Sequence, residues 1–151
     1  PALPPETVNL VRQGADFGWP RCHAGRIADP DLGGRSACQG VEPPAVEMQA
    51  HSAPLGLAFY TGEQFPAEYR GDLFVAFHGS WNRSTPTGYK LVRIPMEGGR
   101  PGAVQDFATG WLDGASAWGR PVDVITGSDG SLYVSDDAGG KIYRILYLQP
   151  E

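Results

Sequence analysis

The chain has 151 residues, 41% hydrophobic and 19% charged, enough apolar material for a core and too much for a disordered tail. Lys plus Arg number 12 against 17 Asp plus Glu, a formal net charge of −5, and no basic stripe runs along the chain, so sequence-independent nucleic-acid binding is not expected. No apolar run approaches the roughly 20 residues of a membrane-spanning helix, and the first residues lack a signal-peptide pattern, so the chain is expected to have no membrane span.

Glycine at 21 and proline at 14, without sustained 3.6-residue apolar spacing, predict an all-β fold with many turns. Glu6-Thr-Val-Asn-Leu-Val11 is predicted as the third strand of a sheet and Ala45-Val-Glu-Met-Gln-Ala50 as its fourth. Between them lies a Gly-, Pro-, Asp- and Arg-rich segment holding both cysteines, Cys22 and Cys38. A disulfide there would brace a long loop and points to a periplasmic or secreted setting. Two alternatives are free thiols and a zinc site, but two Cys and the adjoining His23 without a CxxC spacing make a weak zinc signal.

Two later segments repeat one another. The first runs Pro54-Leu-Gly-Leu-Ala-Phe-Tyr60, Gly71-Asp-Leu-Phe-Val-Ala-Phe77 and Gly88-Tyr-Lys-Leu-Val-Arg-Ile94, followed by a fourth strand within Ala103-Val-Gln-Asp-Phe-Ala-Thr-Gly-Trp111. The second runs Pro121-Val-Asp-Val-Ile125, Gly130-Ser-Leu-Tyr-Val-Ser135 and Gly140-Lys-Ile-Tyr-Arg-Ile145. Short Val/Leu/Ile/Tyr/Phe runs bounded by Gly, Pro and Asp predict antiparallel meanders, and Ser128-Asp-Gly130 suits a hairpin turn. The expected architecture is a partial β-propeller of about two to three four-stranded antiparallel blades. Residues 1–50 would end one blade and carry the cysteine loop, 51–112 would form a complete blade, and 118–148 would form three strands of the next. Open blade edges would allow self-association, closing a ring from two copies.

Strand alternation sorts the loops. Those after Gln49, Phe77, Trp118 and Ser135 fall on one face, gathering His51, His78, Trp81, Asn82, Arg83 and Arg120. Arginine forks and aromatic rings suit a planar, carboxylate- or carbonyl-bearing ligand, so His51, Trp81, Asn82, Arg83 and Arg120 are the candidate ligand residues. Structural roles compete at each. Arg83 and Asn82 could shape a loop, Trp81 could shield an edge, His51 could cap a strand, and Arg120 could pair with Asp136 or Asp137. His78 is expected to be a hydrogen-bonded packing residue and Asp123 a buried carboxylate in a structural network. Asp136-Asp137 is read as turn chemistry and not as a calcium loop, so no metal site is expected. The Gly62–Gly71 and Ser128–Gly130 turns on the other face are expected to be plain and solvated.

Glu6-Thr-Val-Asn-Leu-Val11, Gly14-Ala-Asp-Phe-Gly-Trp-Pro20, His51-Ser-Ala-Pro-Leu-Gly56, His78-Gly-Ser-Trp-Asn-Arg83 and Gly119-Arg-Pro-Val-Asp-Val124 resemble the PQQ-dependent glucose/sorbosone dehydrogenases, and most closely the L-sorbosone or pyranose dehydrogenase type. The resemblance implies a six-bladed propeller binding pyrroloquinoline quinone (PQQ) and calcium, which oxidises a sugar and passes electrons to an external acceptor. His51 would lie on a cofactor-contacting loop, Arg83 on a loop supplying a cation, and Arg120 at the first position of an Arg-x-Arg-Asp pattern whose second position is Val122 here. The segments matching the histidine base and the calcium carbonyls precede Glu6 in the family pattern, so no catalytic residue is expected in this chain, nor turnover by it alone. A non-catalytic propeller module is the alternative.

Overall fold

Short apolar runs broken by Gly, Pro and Asp fold as antiparallel strands throughout residues 3–148, the part of the chain that the computed structural model describes. Among these residues there is no α-helix, and none long and apolar enough to cross a membrane. The chain divides into two units, Pro1–His51 and Ser52–Glu151.

The first unit contains β1 (Glu6–Val8), β2 (Cys22–His23), β3 (Ile27–Ala28) and β4 (Val46–Met48). The outer two pair antiparallel with Glu6 opposite Met48 and Val8 opposite Val46. Their connection is stitched by polar contacts and by a disulfide between Cys22 and Cys38, with Cys22 almost wholly buried. Arg26 grips Glu47 through Nε at 3.0 Å and Nη2 at 2.6 Å. His23 Nε2 lies 3.0 Å from Asp29 Oδ2. That contact, with the Leu32 and Asp31 amides, holds the Asp29 carboxyl below its ordinary pKa. His23 is thus turned to a carboxylate, and Cys22 to a sulfur partner.

The second unit contains β5 (Pro54–Phe59), a 3-10 turn (Ala67–Tyr69), β6 (Leu73–Phe77), β7 (Lys90–Ile94), β8 (Met96–Glu97), β9 (Arg100–Pro101), β10 (Gln105–Ala108), β11 (Leu112–Asp113), β12 (Ser116–Ala117), β13 (Pro121–Thr126), β14 (Leu132–Asp136) and β15 (Lys141–Ile145). One sheet has the order β10-β7-β6-β5 and another β13-β14-β15, with small hairpins between them. Both repeats therefore form the expected meanders. Each first strand carries a register irregularity near its start, between Pro54 and Leu57 in β5 and between Pro121 and Asp123 in β13.

Phe74, Ala76 and Leu91 of the first sheet meet Val124, Leu132 and Val134 of the second in a core with Tyr60 and Phe65. Burying each large apolar side chain contributes roughly 1.5–3 kcal/mol. Phe74 stacks edge-on against Phe107 of β10, with centroids 4.9 Å apart. Tyr60 buries its ring but not its hydrogen-bonding need: its hydroxyl donates to the Gly130 carbonyl at 2.7 Å and accepts from the Phe65 amide at 2.9 Å. The two sheets also approach closely where Gly56 faces Asp123, since a Cβ at Gly56 would fall 1.9 Å from Asp123 Oδ1. Asp123 was expected to be buried in a network; it is exposed, and its carboxylate accepts the amide of the next residue, Val124, at 2.8 Å. The pleat turns it away from Val124, which takes the core position.

Candidate functional site

The loop joining β6 to β7 carries three candidate residues. It is pinned at its base, where the Ser80 amide donates to the Thr87 carbonyl at 2.9 Å and the Thr87 amide donates to Ser80 Oγ at 3.0 Å. The Gly79 amide donates to the Ser52 carbonyl at 2.9 Å. At φ 98°, with Tyr89 ring atoms 2.5 Å from where a Cβ would lie, Gly79 has neither the conformation nor the space for a side chain. Beyond this base Trp81 is 84% exposed, Asn82 is exposed and Arg83 is half-buried. Ser84 and Thr85 complete an exposed tip.

Arg120, at the entry to β13, lies under the base of this loop. Its Nε donates to the His78 carbonyl at 3.1 Å, and Nη2 donates to the carbonyls of Gly79 at 2.6 Å and Ser80 at 3.0 Å. Its guanidinium carbon is 5.3 Å from the centroid of the Tyr89 ring. The alternative pairing of the Arg120 side chain with Asp136 or Asp137 does not occur; its Nε and Nη2 donors go to three consecutive carbonyls. Asp136 instead accepts the Arg120 main-chain amide at 2.8 Å. Asp137 lies 2.9 Å from His78 Nε2, linking the end of β6 to the β14–β15 turn. His78 is therefore the hydrogen-bonded packing residue its sequence context suggests.

Asp136 is nearly sealed from solvent. Burial pushes its pKa up, but the Arg120, Gly139 and Ala138 amides and the Tyr143 hydroxyl outweigh that and hold it below the ordinary carboxylate value. Burial, then the bond to Asp136, raises the Tyr143 phenol in turn. Trp118 stands half-exposed, donates its indole N–H to the Gly110 carbonyl at 2.7 Å, and lies under Lys141.

His51 belongs to the first unit, where its Nε2 lies 3.2 Å from the Leu3 carbonyl oxygen and its backbone is left-handed at φ 61°. Among the described residues no group of three or more His, Cys, Asp or Glu side chains gathers to hold a metal ion. Tyr89, which supports the loop, was not foreseen as a site residue, and the spacing Gly79 to Gly88-Tyr89 was the one available signal for it. Asp136, readable in the sequence as a side-chain partner of Arg120 or as turn chemistry, meets Arg120 through the main-chain amide. At the other end of the two sheets, Thr61–Gln64 and Thr126–Gly130 line an open groove of about 580 Å³.

The model of the TrAA12-like family matches residues 34–147. The chain belongs to the TrAA12-like family. This TrAA12-like chain is 39% identical over 150 residues to an "Uncharacterized protein" of Borreliella burgdorferi, covering 96% of this chain and 40% of that one. It is 34% identical over 122 residues to a pyrroloquinoline quinone-dependent pyranose dehydrogenase of Coprinopsis cinerea, covering 68% of this chain and 16% of that one. A crystal structure of a glucose dehydrogenase superposes with a TM-score of 0.68 at 25% identity, over 95% of this chain and 38% of that chain. The TrAA12-like chain thus spans 40% or less of each of these proteins. The resemblance to quinone-dependent sugar dehydrogenases that begins with Glu6-Thr-Val-Asn-Leu-Val11 is one of family membership.

Proposed function

We propose that this chain is part of a PQQ-dependent sugar dehydrogenase, and that its two main sheets are consecutive blades of a six-bladed propeller. The carrying observation is the pinned β6–β7 loop with exposed Trp81 and Asn82 and half-buried Arg83 beyond its base, in a chain of this family. That donor set fits part of a site for an anionic, planar quinone: a guanidinium and an amide suit carboxylates, and an indole suits a ring face. Arg83, Asn82 and Trp81 would hold the quinone. Where bound, the quinone supplies the two-electron acceptor for sugar oxidation. Its calcium would be held by residues of the parent protein outside this chain, which would also supply the proton-abstracting base. An external acceptor would reoxidise the cofactor. The Cys22–Cys38 disulfide supports a periplasmic or secreted location.

A second reading has its own observation. Leu55, Leu57 and Phe59 of β5 are each 51% exposed, and Ile142 of β15 is 74% exposed. Such rows need covering sheets, from the parent polypeptide or from a second copy that closes the ring.

The test is a PQQ titration with and without calcium, followed by cofactor fluorescence, with mass measured by light scattering. Saturable binding weakened about tenfold or more in Arg83→Ala, the loss of one charge-assisted contact, is the expected result. A doubled mass would favour self-closure. Absence of saturable binding by the folded chain and by its longer parent would overturn the proposal in favour of a non-catalytic propeller module.

A further inference from the structure

We infer that Arg120 is a positioning residue: with Tyr89 it locks the base of the β6–β7 loop that carries Trp81, Asn82 and Arg83. The ligand half of this inference rests on the proposed quinone face; the loop-locking half does not.

The carbonyls of His78, Gly79 and Ser80 are consecutive, yet all three accept from one guanidinium. Three adjacent acceptors turned to one side repel each other and need a cation or several donors to be held there. A planar fork with donors at fixed angles meets that need, whereas a lysine ammonium is a point charge on a mobile stem. Tyr89 adds a second tie, because its hydroxyl donates to the same Ser80 carbonyl that Arg120 holds. Its ring occupies the place that a side chain at Gly79 would need. Tyr89 itself sits at φ 56°, a left-handed conformation that a bulky residue keeps only when its surroundings hold it there.

The lock has a fixed foundation. The buried Asp136 carboxylate accepts the main-chain amides of both Arg120 and Gly139, so the guanidinium is aimed from a rigid point on the second sheet. The His78–Asp137 contact is a parallel brace between the same loop end and the β14–β15 turn. With its Nε and Nη2 donors committed to backbone oxygens, Arg120 is anchored to the loop base and acts on a ligand through loop geometry.

The test compares Arg120→Met, Arg120→Lys, Tyr89→Phe and the double variant Arg120→Met/Tyr89→Phe. Amide hydrogen exchange is measured without cofactor, and PQQ affinity by fluorescence. In Arg120→Met, amides between Gly79 and Gly88 should exchange about tenfold faster or more while β14 and β15 keep their protection. Arg120→Lys retains the charge but should bind PQQ no better than Arg120→Met, and the double variant should lose no more than the worse single one, as two ties on one base require. If Arg120→Met fails to fold, Tyr89→Phe carries the test, with faster exchange in the same segment expected. Wild-type protection of that segment in the folded variants would overturn the inference whatever the quinone does. So would recovery of PQQ affinity by lysine with the loop still loosened. Loss of protection in the variants, where neither the wild-type chain nor its longer parent binds quinone, would uphold the lock and overturn the proposed function instead.

Discussion

Donors surround the nearly buried Asp136 carboxylate and hold its pKa below the ordinary value, so its charge bears on the stability of the second unit. Its folded pKa lies below the unfolded value of about 3.9, so its contribution is full above that value and drains away as pH falls through the lowered folded pKa. Asp136→Asn keeps the shape but not the charge, and should cost roughly 1–3 kcal/mol in urea unfolding at neutral pH. The gap between variant and wild type should narrow on acidification below the unfolded carboxyl range; a gap independent of pH would show that the charge contributes nothing. At this scale the sequence was only partly legible. His78 could be read as a hydrogen-bonded residue because it ends an apolar strand. The partners of Arg120 could not be read, since they are backbone carbonyls, which leave no mark in the choice of side chains. Asp123 misled because a carboxylate in an innermost strand points inward or outward according to a pleat phase that the Pro121–Asp123 irregularity shifts.

Strands and meanders were the most legible level, because their signal is local: alternating apolar residues closed off by Gly, Pro and Asp. The start of β10 was harder to place, as only Gln105–Ala108 of the longer predicted run pairs, with a register break before Ala108. Between elements, Tyr60 does what periodicity cannot show. It follows β5, yet its hydroxyl holds the β13–β14 hairpin through Gly130 and the following turn through Phe65. Tyr60→Phe leaves the ring in place and strands both partners, so thermal or urea unfolding should register a loss of about 1–3 kcal/mol. An unchanged midpoint would mean that water replaces the hydroxyl without cost. Gln64 reinforces the same corner, bonding Ser131 through its amide nitrogen and the Tyr147 amide through its oxygen, so the turns expected to be plain are tied to the sheets.

For the molecule as a whole, the two units are stabilised differently. Ser52–Glu151 has an aromatic and aliphatic core, whereas Pro1–His51 relies on ion pairs, backbone turns and one cross-link between residues separated by 16 positions. A loop of that size is worth about 3 kcal/mol in unfolded-chain entropy. Reduction should therefore raise amide exchange in β1 and β4 while the β5–β7 and β13–β15 ladders keep theirs; equal loosening of both units would show that they fold as one. The family was legible because its motifs span nearly the whole chain, while the ligand face was legible only as a list of loops, since convergence depends on strands that any one loop does not contain.

The Ser80–Thr87 clasp has an evolutionary consequence. Because the loop is fastened below its exposed tip, the residues from Trp81 to Pro86 can be lengthened, shortened or exchanged without disturbing either sheet. Change within this short stretch should therefore leave the fold intact even where it alters the proposed quinone contacts of Trp81, Asn82 and Arg83, while Gly79, Tyr89 and Arg120 stay under structural constraint. An engineer could graft foreign tips onto the same three anchors.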